Sequence, residues 1–323
     1  MGEALFNDEP PGAVAILGAT GTGKSALAMQ LAKHLPVEII SVDSAQVYRG
    51  LDIGTAKPTA AERAQVAHHL IDICEPEQVY SAGEFRDDCL VTLRQIVARG
   101  RVPVLVGGTM LYYRALFRGM ADLPAANPSL RSELDQRAQR EGWPALHAQL
   151  AQGDPEGAAR IHPHDAQRIQ RAIEVLVTAG RSLNQHWGGE EPVPVNWHIA
   201  ILEPGSRQEL HARLALRLNA MMDAGFVGEV RHLLQRETLC NGSPVLRLVG
   251  YRQLAGYCRG EHTLTEATKL ALYATRQLAK RQMTWLRGAG LLPPSAQVIR
   301  SEAFSAVHTE RLLGTLIERV VPP

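Results

Sequence analysis

The sequence predicts an α/β protein: a parallel sheet of the P-loop NTPase-like type, with a small helical insertion domain. Short and almost continuously apolar runs alternate with helical patterns over the first third of the 323 residues. Such runs are typical of parallel strands that are covered on both faces. One run leads directly into a glycine-rich loop and a helix. The apolar runs stop at residue 107 and resume only at residue 197, which indicates an insertion between them.

The predicted elements follow from these runs in chain order. Strands are expected at the run AVAIL that precedes Gly18, and at Val37–Val42, His69–Ile73, Val102–Gly107 and Trp197–Glu203. Helices are expected at Ala26–Leu35, Gly83–Arg99, Arg207–Arg236 and Leu264–Arg287. Residues 119–195 contain short helical patterns broken by LPAANPS, GDPEG and GGEEPVPV. We therefore assign 1–118 and 196–323 to the α/β core with its C-terminal helices and 119–195 to the helical insertion.

The loop after the first strand reads GATGTGKS and matches the P-loop pattern at every fixed position. Its residues are Gly18, Ala19, Thr20, Gly21, Thr22, Gly23, Lys24 and Ser25. In this setting backbone N–H groups surround phosphate oxygens, the lysine adds a positive charge and the serine hydroxyl suits Mg²⁺. We expect these residues to bind a phosphate chain. The alternative is an ordinary glycine-rich turn.

P-loop ATPases, GTPases and kinases usually carry a Mg²⁺-directed aspartate after another strand. The fourth predicted strand ends in Gly107, Gly108 and Thr109, whereas an aspartate, Asp43, follows the second. Parallel strands end at one edge of a sheet, so Asp43 is expected beside the P-loop. Asp43 could instead cap a helix or close a strand-end turn. The Gly-Gly-Thr segment could bind an anion or form a simple turn.

Composition excludes several classes of protein. The 34 Lys+Arg and 33 Asp+Glu nearly cancel, so any affinity for nucleic acid must come from local patches. The four cysteines show no C-x-x-C spacing, which predicts reduced thiols of a cytosolic protein. The start, MGEALFNDEPPG, does not resemble a signal peptide, and no apolar run is long enough to span a membrane. We expect a cytoplasmic monomer that does not bind membranes.

A local basic segment lies near the C-terminus. Between residues 247 and 287 there are eight Lys+Arg and two acidic residues. At helical spacing one stripe contains Lys269, Tyr273, Arg276, Lys280 and Arg287. A basic stripe with one aromatic residue suits an RNA backbone, although a solvated helix face has the same pattern.

Seven segments together resemble the tRNA dimethylallyltransferase (tRNA isopentenyltransferase) family of bacterial type. They are GATGTGKS, SVDSAQVYRGLDIGTAKP, HLIDI, LVGGTMLYYRAL, RIHPHDAQRIQRAIEV, RLVGYRQ and ATRQLAKRQMTWLR. They occur in the family's order over nearly the whole chain. Ala19 and Ala67 replace prolines that are common in the family, and neither position supplies a functional group. The resemblance implies transfer of a dimethylallyl group from dimethylallyl diphosphate to the adenosine 3′ of the anticodon, with Mg²⁺.

Several roles can be assigned under this resemblance. Displacing diphosphate requires Lys24, Mg²⁺ and P-loop amides to neutralise the leaving oxygens. Asp43 is the nearest carboxylate that could accept the proton of the adenine amine, and it is also a metal ligand candidate with Ser25. Gln46 suits paired hydrogen bonds to adenine. The resemblance implies that Thr109 contacts substrate and that Arg217 contacts the diphosphate, although Arg217 could instead lie on a solvated helix face.

The resemblance also implies a larger set of residues that contact the anticodon stem-loop of tRNA. Helical spacing places Gln167, Arg168 and Arg171 outward and Ile169 toward the core. The implied tRNA contacts are Asp43, Ser44, Ala45, Gln46, Thr109, Arg131, Gln167, Arg168, Ile169, Gln170, Arg171, Arg247, Leu248, Val249, Gly250, Tyr251, Arg252, Lys280, Arg281, Gln282, Met283, Thr284, Trp285, Leu286 and Arg287.

Two other functions share parts of this pattern. A small-molecule or nucleoside kinase would use the P-loop and Asp43 but would not explain the basic C-terminal helix. A nucleotide-switched RNA-binding protein would show RNA affinity that depends on ATP or GTP, and would leave RNA unmodified.

Overall fold

The computed structural model describes residues 12–120, 123–182, 193–240, 242–288, 290–293 and 295–320. Six strands form one parallel sheet: β1 (Gly12–Gly18), β2 (Val37–Val42), β3 (His68–His69), β4 (Val102–Gly107), β5 (Asn196–Pro204) and β6 (Gln297–Ala303). Their order across the sheet is β3-β2-β4-β1-β5-β6. Separate hydrophobic clusters cover the two faces, which explains why β1, β2 and β4 are continuously apolar. The predicted α/β class is confirmed.

Thirteen helices connect or follow these strands within the described residues. They are α1 (Lys24–Leu31), α2 (Ala60–Gln65), α3 (Ala82–Ala98), α4 (Met110–Arg118), α5 (Pro128–Glu141), α6 (Trp143–Gly153), α7 (Pro155–Ala159), α8 (Ala166–Ala179), α9 (Arg207–Asp223), α10 (Phe226–Leu234), α11 (Tyr251–Cys258), α12 (Leu264–Arg287) and α13 (Ala306–Val320). The predicted bounds of α12 are confirmed. A capping box between Thr263 and Glu266 starts this helix, which is a signal local to the sequence.

The chain divides into two compact units, Met1–Phe117 with Val193–Pro323 and Arg118–Pro192. The second unit contains α5 to α8, which pack around a small core of its own that includes Leu134, Leu146 and Ile169. Val193 and Val195 were expected in the insertion, but they lie in the core of the first unit because Val193 N–H donates to Leu116 O. Residues 121–122 and 183–192 of the expected insertion lie outside the described residues, as does nearly all of the N-terminal segment.

The structure differs from the sequence-based elements in several places. The strand expected at His69–Ile73 is reduced to His68–His69, because Leu70 and Asp72 adopt φ of 59° and 57°. Strand β6 was not predicted, since its exposed face makes QVIRSEA look like a polar loop. The helix expected at Arg207–Arg236 is two helices, separated at Gly225 with φ of 99°, which a right-handed helix cannot accommodate.

Helix α1 begins at Lys24 and ends at Leu31, earlier at both ends than the expected Ala26–Leu35. Helix α4 was not anticipated as an element. None of the described helices is long and apolar enough to cross a membrane.

Candidate active site

The P-loop connects the carboxyl end of β1 to α1. Gly21 and Gly23 have φ of 82° and 89°, a region that side chains disfavour, and a Cβ at Gly18 would press on Thr22 Oγ1 and Leu202 O. The Ala19 carbonyl accepts hydrogen bonds from Thr22 Oγ1 and Lys24 Nζ, both at 2.8 Å. The loop therefore holds Lys24 against its own backbone.

The P-loop opens into a cavity of about 640 Å³ in the first unit. Predicted site residues from several distant segments line it: Thr20, Lys24, Ser25, Asp43, Ser44, Ala45, Gln46, Thr109, Arg217, Arg247, Leu248, Val249, Gly250, Tyr251, Arg281, Gln282 and Trp285. The remaining predicted P-loop residues, and Arg252, Lys280, Met283, Thr284, Leu286 and Arg287, are not among the lining residues. The cavity thus joins the expected phosphate site to a part of the expected RNA site.

Asp43 and Thr109 lie at the ends of neighbouring strands in this cavity. Asp43 Oδ1 accepts from Ala45 N–H at 2.8 Å, and residues 44–47 form turns rather than a helix. Asp43 is therefore not a helix N-cap. Thr109 Oγ1 accepts from Ser44 N–H at 3.0 Å, which fixes the hydroxyl beside Asp43. Within the described residues Asp43 has no further hydrogen bond, so its second carboxylate oxygen can meet a ligand.

The electrostatics of the cavity favour an anion. Burial and, to a smaller extent, the nearby Arg217 guanidinium lower the pKa of Lys24 from 10.5 to about 7, against an opposing effect of Asp43. Burial also lowers the pKa of Arg217, against an opposing effect of Asp43. Two cations, the buried Lys24 and the half-buried Arg217, therefore face one carboxylate. Arg217 is turned into this site on α9, so the solvated-face interpretation of Arg217 does not hold.

Gln282 links the P-loop to the end of β4. Its Oε1 accepts from Thr20 N–H at 2.8 Å, and its Nε2 donates to Gly108 O at 2.8 Å. A Cβ on Gly107 would collide with the backbone of Val42, and one on Gly108 would collide with the Gln282 amide. Gly107 and Gly108, at the end of β4, therefore permit close approach of β2 and α12. The amide of Gln282 binds within the protein and is not free to contact RNA.

Gln46 also has protein partners for its amide. Its Nε2 donates to Thr55 O at 3.3 Å and to Ala56 O at 3.2 Å, and its Oε1 accepts from Ser41 Oγ at 2.8 Å. The two carbonyl partners fix which end of the amide is nitrogen. An adenine could be read by Gln46 only by sharing or replacing these contacts.

The loop that carries the Thr55 and Ala56 carbonyls is held in place by Glu229, which was not among the predicted site residues. Glu229 accepts from the backbone N–H groups of Asp52, Ile53 and Gly54 at 2.7, 2.7 and 3.0 Å, and from Tyr251 Oη at 2.6 Å. Burial and the Glu229 carboxylate raise the pKa of Tyr251, so its hydroxyl stays protonated. No pattern near Glu229 signals this role, because its partners are distant in sequence.

The unit Arg118–Pro192 contains the other expected RNA residues. Arg131 and Arg171 both bind the fully buried carboxylate of Glu174. These arginines therefore neutralise a buried charge inside the unit. Gln167 and Arg168 are exposed. Ile169 is fully buried in this unit, and Leu286 is buried in the first unit, so the side chains of these two expected contacts are out of reach of RNA.

Ser25 and Asp43, the metal ligands that the sequence predicts, both line the cavity. The described residues contain no group of three or more His, Cys, Asp or Glu side chains that could enclose an ion. Mg²⁺ commonly keeps several waters and takes only one or two protein ligands together with substrate phosphates. An exposed hydroxyl and a carboxylate that line one cavity beside the P-loop fit that requirement.

Comparisons with known proteins point to one family. Residues 46–289 match the family model described as IPP transferase. The chain is 54% identical over 280 residues to a tRNA dimethylallyltransferase of Bordetella avium, covering 86% of this chain and 90% of that protein. The solved tRNA isopentenylpyrophosphate transferase of Bacillus halodurans is 33% identical with a TM-score of 0.66, and 96% of each chain is covered.

A eukaryotic dimethylallyltransferase solved while acting on tRNA has a similar fold. The TM-score is 0.78 at 23% identity, and the match covers 95% of this chain and 78% of that one. At this identity the likeness concerns the fold alone.

Proposed function

The chain belongs to the IPP transferase family, and we propose that its P-loop binds the diphosphate of dimethylallyl diphosphate. Its activity is the transfer of a dimethylallyl group to tRNA. The proposed acceptor is the exocyclic N6 amine of the adenosine 3′ of the anticodon. The observation that carries the proposal is that Lys24, Arg217, Asp43 and Thr109 share one cavity.

In the proposed reaction the bond between the allylic carbon and the diphosphate oxygen breaks, and a bond from that carbon to N6 forms. Asp43 accepts the proton that N6 loses, and diphosphate leaves. Lys24, Arg217 and P-loop N–H groups neutralise the negative charge that grows on the leaving oxygens. Thr109, oriented by Ser44, contacts the substrate.

Mg²⁺ held by Ser25 and Asp43 would supply further charge neutralisation at the diphosphate. The metal and base roles of Asp43 would both use the carboxylate oxygen that does not accept from Ala45 N–H, so they are alternatives that a titration with Mg²⁺ can separate. We keep the prediction that Gln46 pairs with adenine, but in this pairing the adenine would replace the carbonyl of Thr55 or Ala56 as a partner of the Gln46 amide.

For tRNA we propose contacts by the side chains that remain accessible, among them Arg168, Arg247, Arg252, Arg281 and Trp285. We propose that the protein acts as a monomer. The four free cysteines agree with a reducing compartment, and we propose that the protein acts in the cytoplasm.

The direct test is incubation with radiolabelled dimethylallyl diphosphate, Mg²⁺ and unmodified tRNA, followed by nucleoside analysis. Label in an N6-alkylated adenosine is expected. Parallel thermal-shift measurements with ATP and with dimethylallyl diphosphate separate a kinase from the transferase. Stabilisation by ATP alone, with unlabelled tRNA after incubation, would refute the proposal.

A further inference from the structure

The proposed reaction brings together groups that two different parts of the cavity hold. The P-loop, residues 18–25, would hold the diphosphate, and Asp43 and Thr109, which follow β2 and β4, would meet the acceptor amine. The reacting atoms must approach to about 3–3.5 Å before a bond can form between them. The distance between the P-loop and the ends of β2 and β4 is therefore part of the catalytic geometry.

Gln282 joins these two parts of the cavity. Its Oε1 accepts from Thr20 N–H in the P-loop, and its Nε2 donates to Gly108 O, both at 2.8 Å. Gly108 directly precedes Thr109, whose Oγ1 accepts from Ser44 N–H at 3.0 Å. One side chain from α12 thus connects the backbone of the P-loop to the backbone that carries the Thr109 hydroxyl.

The surroundings of Gln282 leave its amide little freedom to move. Gln282 is buried, and a Cβ on Gly108 would collide with its Nε2. One turn earlier on α12, the buried Ala279 packs with Ala19 of the P-loop. Helix α12 therefore contacts the P-loop through an apolar side chain and a polar one, and both contacts fix the loop relative to the helix.

The two partners of Gln282 require an amide. Thr20 N–H is a donor and Gly108 O is an acceptor, so the side chain between them must accept at one end and donate at the other. An ionised carboxylate can only accept, and a thioether offers no donor. Among side chains of this length, an uncharged amide meets both requirements without a proton from solvent.

We propose that Gln282 is a positioning residue, which sets the distance between the leaving diphosphate and the acceptor amine. The inference rests on the proposed function. Gln282 transfers no proton and acts through Thr20 and Gly108. Its loss should leave the affinity for each substrate nearly unchanged, because Lys24 and Arg217 still attract the diphosphate. The chemical step should slow, because small errors in position are costly for reacting groups.

The test compares Gln282→Met, which removes both hydrogen bonds, with the wild type. The single-turnover rate of alkylation is measured by rapid mixing at saturating tRNA and dimethylallyl diphosphate, and the dissociation constant of each substrate is measured separately. The rate is expected to fall about 10²-fold, as for a displacement of about 1 Å, with both dissociation constants little changed. A normal rate, or a loss confined to the affinity for one substrate, would overturn the proposal.

Gln282→Glu provides a second readout that a merely structural role would not move. Its ionised carboxylate cannot donate to Gly108 O, whereas its protonated carboxyl can donate to Gly108 O and accept from Thr20 N–H. Burial favours the protonated form. The single-turnover rate of this variant, divided by the wild-type rate at the same pH, is therefore expected to rise as the pH falls. A ratio that does not change with pH would overturn the proposal.

Gln277→Glu is the matched control for Gln282→Glu. Gln277 lies on α12 but does not line the catalytic cavity, so this variant makes the same change in charge on the same helix. It should retain the wild-type rate at every pH. If Gln282→Met does not fold, the pH profile of Gln282→Glu remains the deciding measurement. Failure of the proposed function would appear differently, as no alkylation by the wild type itself.

Discussion

The P-loop and the interior of the helical unit Arg118–Pro192 each shield a charged side chain from solvent, but the two side chains have different hydrogen-bond partners. Lys24 is 9% exposed, and its ammonium donates to a neutral carbonyl, Ala19 O. Glu174 is 0% exposed, and its carboxylate accepts from Arg131, Arg171 and the backbone of Asn127.

The pKa values follow from this difference. Burial and Arg217 lower the pKa of Lys24 to about 7, which disfavours its charged form. Burial raises the pKa of Glu174, but its hydrogen bonds outweigh burial and lower the pKa to about 2, which favours the charged form. Lys24 and Arg217 share one carboxylate, Asp43, and their excess positive charge is available to an anionic ligand. Glu174 is fully paired, so its charge stabilises the fold. The predictions below test this distinction.

Asp43→Asn is expected to have the largest effect. If Asp43 is the base, the amide cannot accept the proton, and the single-turnover rate of alkylation should fall about 10²–10⁴-fold. If Asp43 served only as the counterion of Lys24, the loss would instead appear in diphosphate affinity. Rapid mixing of enzyme, tRNA and dimethylallyl diphosphate measures the chemical step.

The Asp43→Asn experiment has two controls. Asp87→Asn changes an exposed carboxylate on α3 and should leave the rate unchanged. Titration with Mg²⁺ separates a metal defect, which high Mg²⁺ partly rescues, from a missing base. A near-normal single-turnover rate in Asp43→Asn would rule out Asp43 as the base.

Lys24→Met should lower turnover by about 10²–10³-fold, as for loss of one donor to a developing oxyanion. The same change should raise the free energy of unfolding of the ligand-free protein, because it removes an ammonium group whose charged form burial disfavours. Urea denaturation measures the second effect, with Lys33→Met on the surface as the control. A Lys24→Met variant that is both inactive and less stable than the wild type would show that Lys24, like Glu174, stabilises the fold, and would contradict this prediction.

The stabilisation by Lys24→Met should depend on pH. The pKa of Lys24 is about 7 in the folded protein and 10.5 ordinarily, so between these values the unfolded chain binds more protons. The cost of burying Lys24 is therefore complete below pH 7 and disappears as the pH rises toward 10.5. The stability advantage of Lys24→Met should shrink over that range, and an advantage independent of pH would show that charge is not its cause.

Glu174→Gln should destabilise the protein by about 3–5 kcal/mol, because it leaves two arginines without their carboxylate. The pKa of Glu174 is lowered from 4.5 to about 2, so its stabilisation is present above pH 4.5 and is lost as the pH falls toward 2. Urea denaturation at several pH values should show a wild-type advantage that shrinks on acidification. The exposed Glu156→Gln should have no such effect.

Arg168→Ala should produce the smallest change. Arg168 is exposed and its one ion pair, with Asp165 at 3.5 Å, lies on the surface. Its loss should reduce the salt slope of tRNA binding by about 0.7–0.9 and leave stability unchanged. Arg171→Ala should instead destabilise the protein through Glu174. The exposed Arg140→Ala serves as the control, and equal slopes in Arg168→Ala and Arg140→Ala would remove Arg168 from the RNA contacts.

The sequence by itself determined the features whose causes are local. Strands β2 and β4 and helix α12 were predicted with their observed bounds, because continuous apolar runs and a capping box depend on neighbouring residues. The P-loop was recognisable for the same reason, since its glycines supply conformations that the loop itself requires. The proximity of Lys24 and Asp43 could also be predicted, because they follow two strands of a parallel sheet and the carboxyl ends of such strands lie at the same edge.

Only the tertiary structure decided the features whose partners are far apart in the chain. Glu229 holds residues 52–54, and Gln282 reaches Thr20 across most of the sequence. Strand β6 forms because β5 offers an edge, and Asp72 turns away from the sheet because Lys57 and Arg63 bind its carboxylate. An isolated glutamate or glutamine has no pattern that reveals its partner, since side-chain hydrogen bonds between distant segments exist only after the chain has folded.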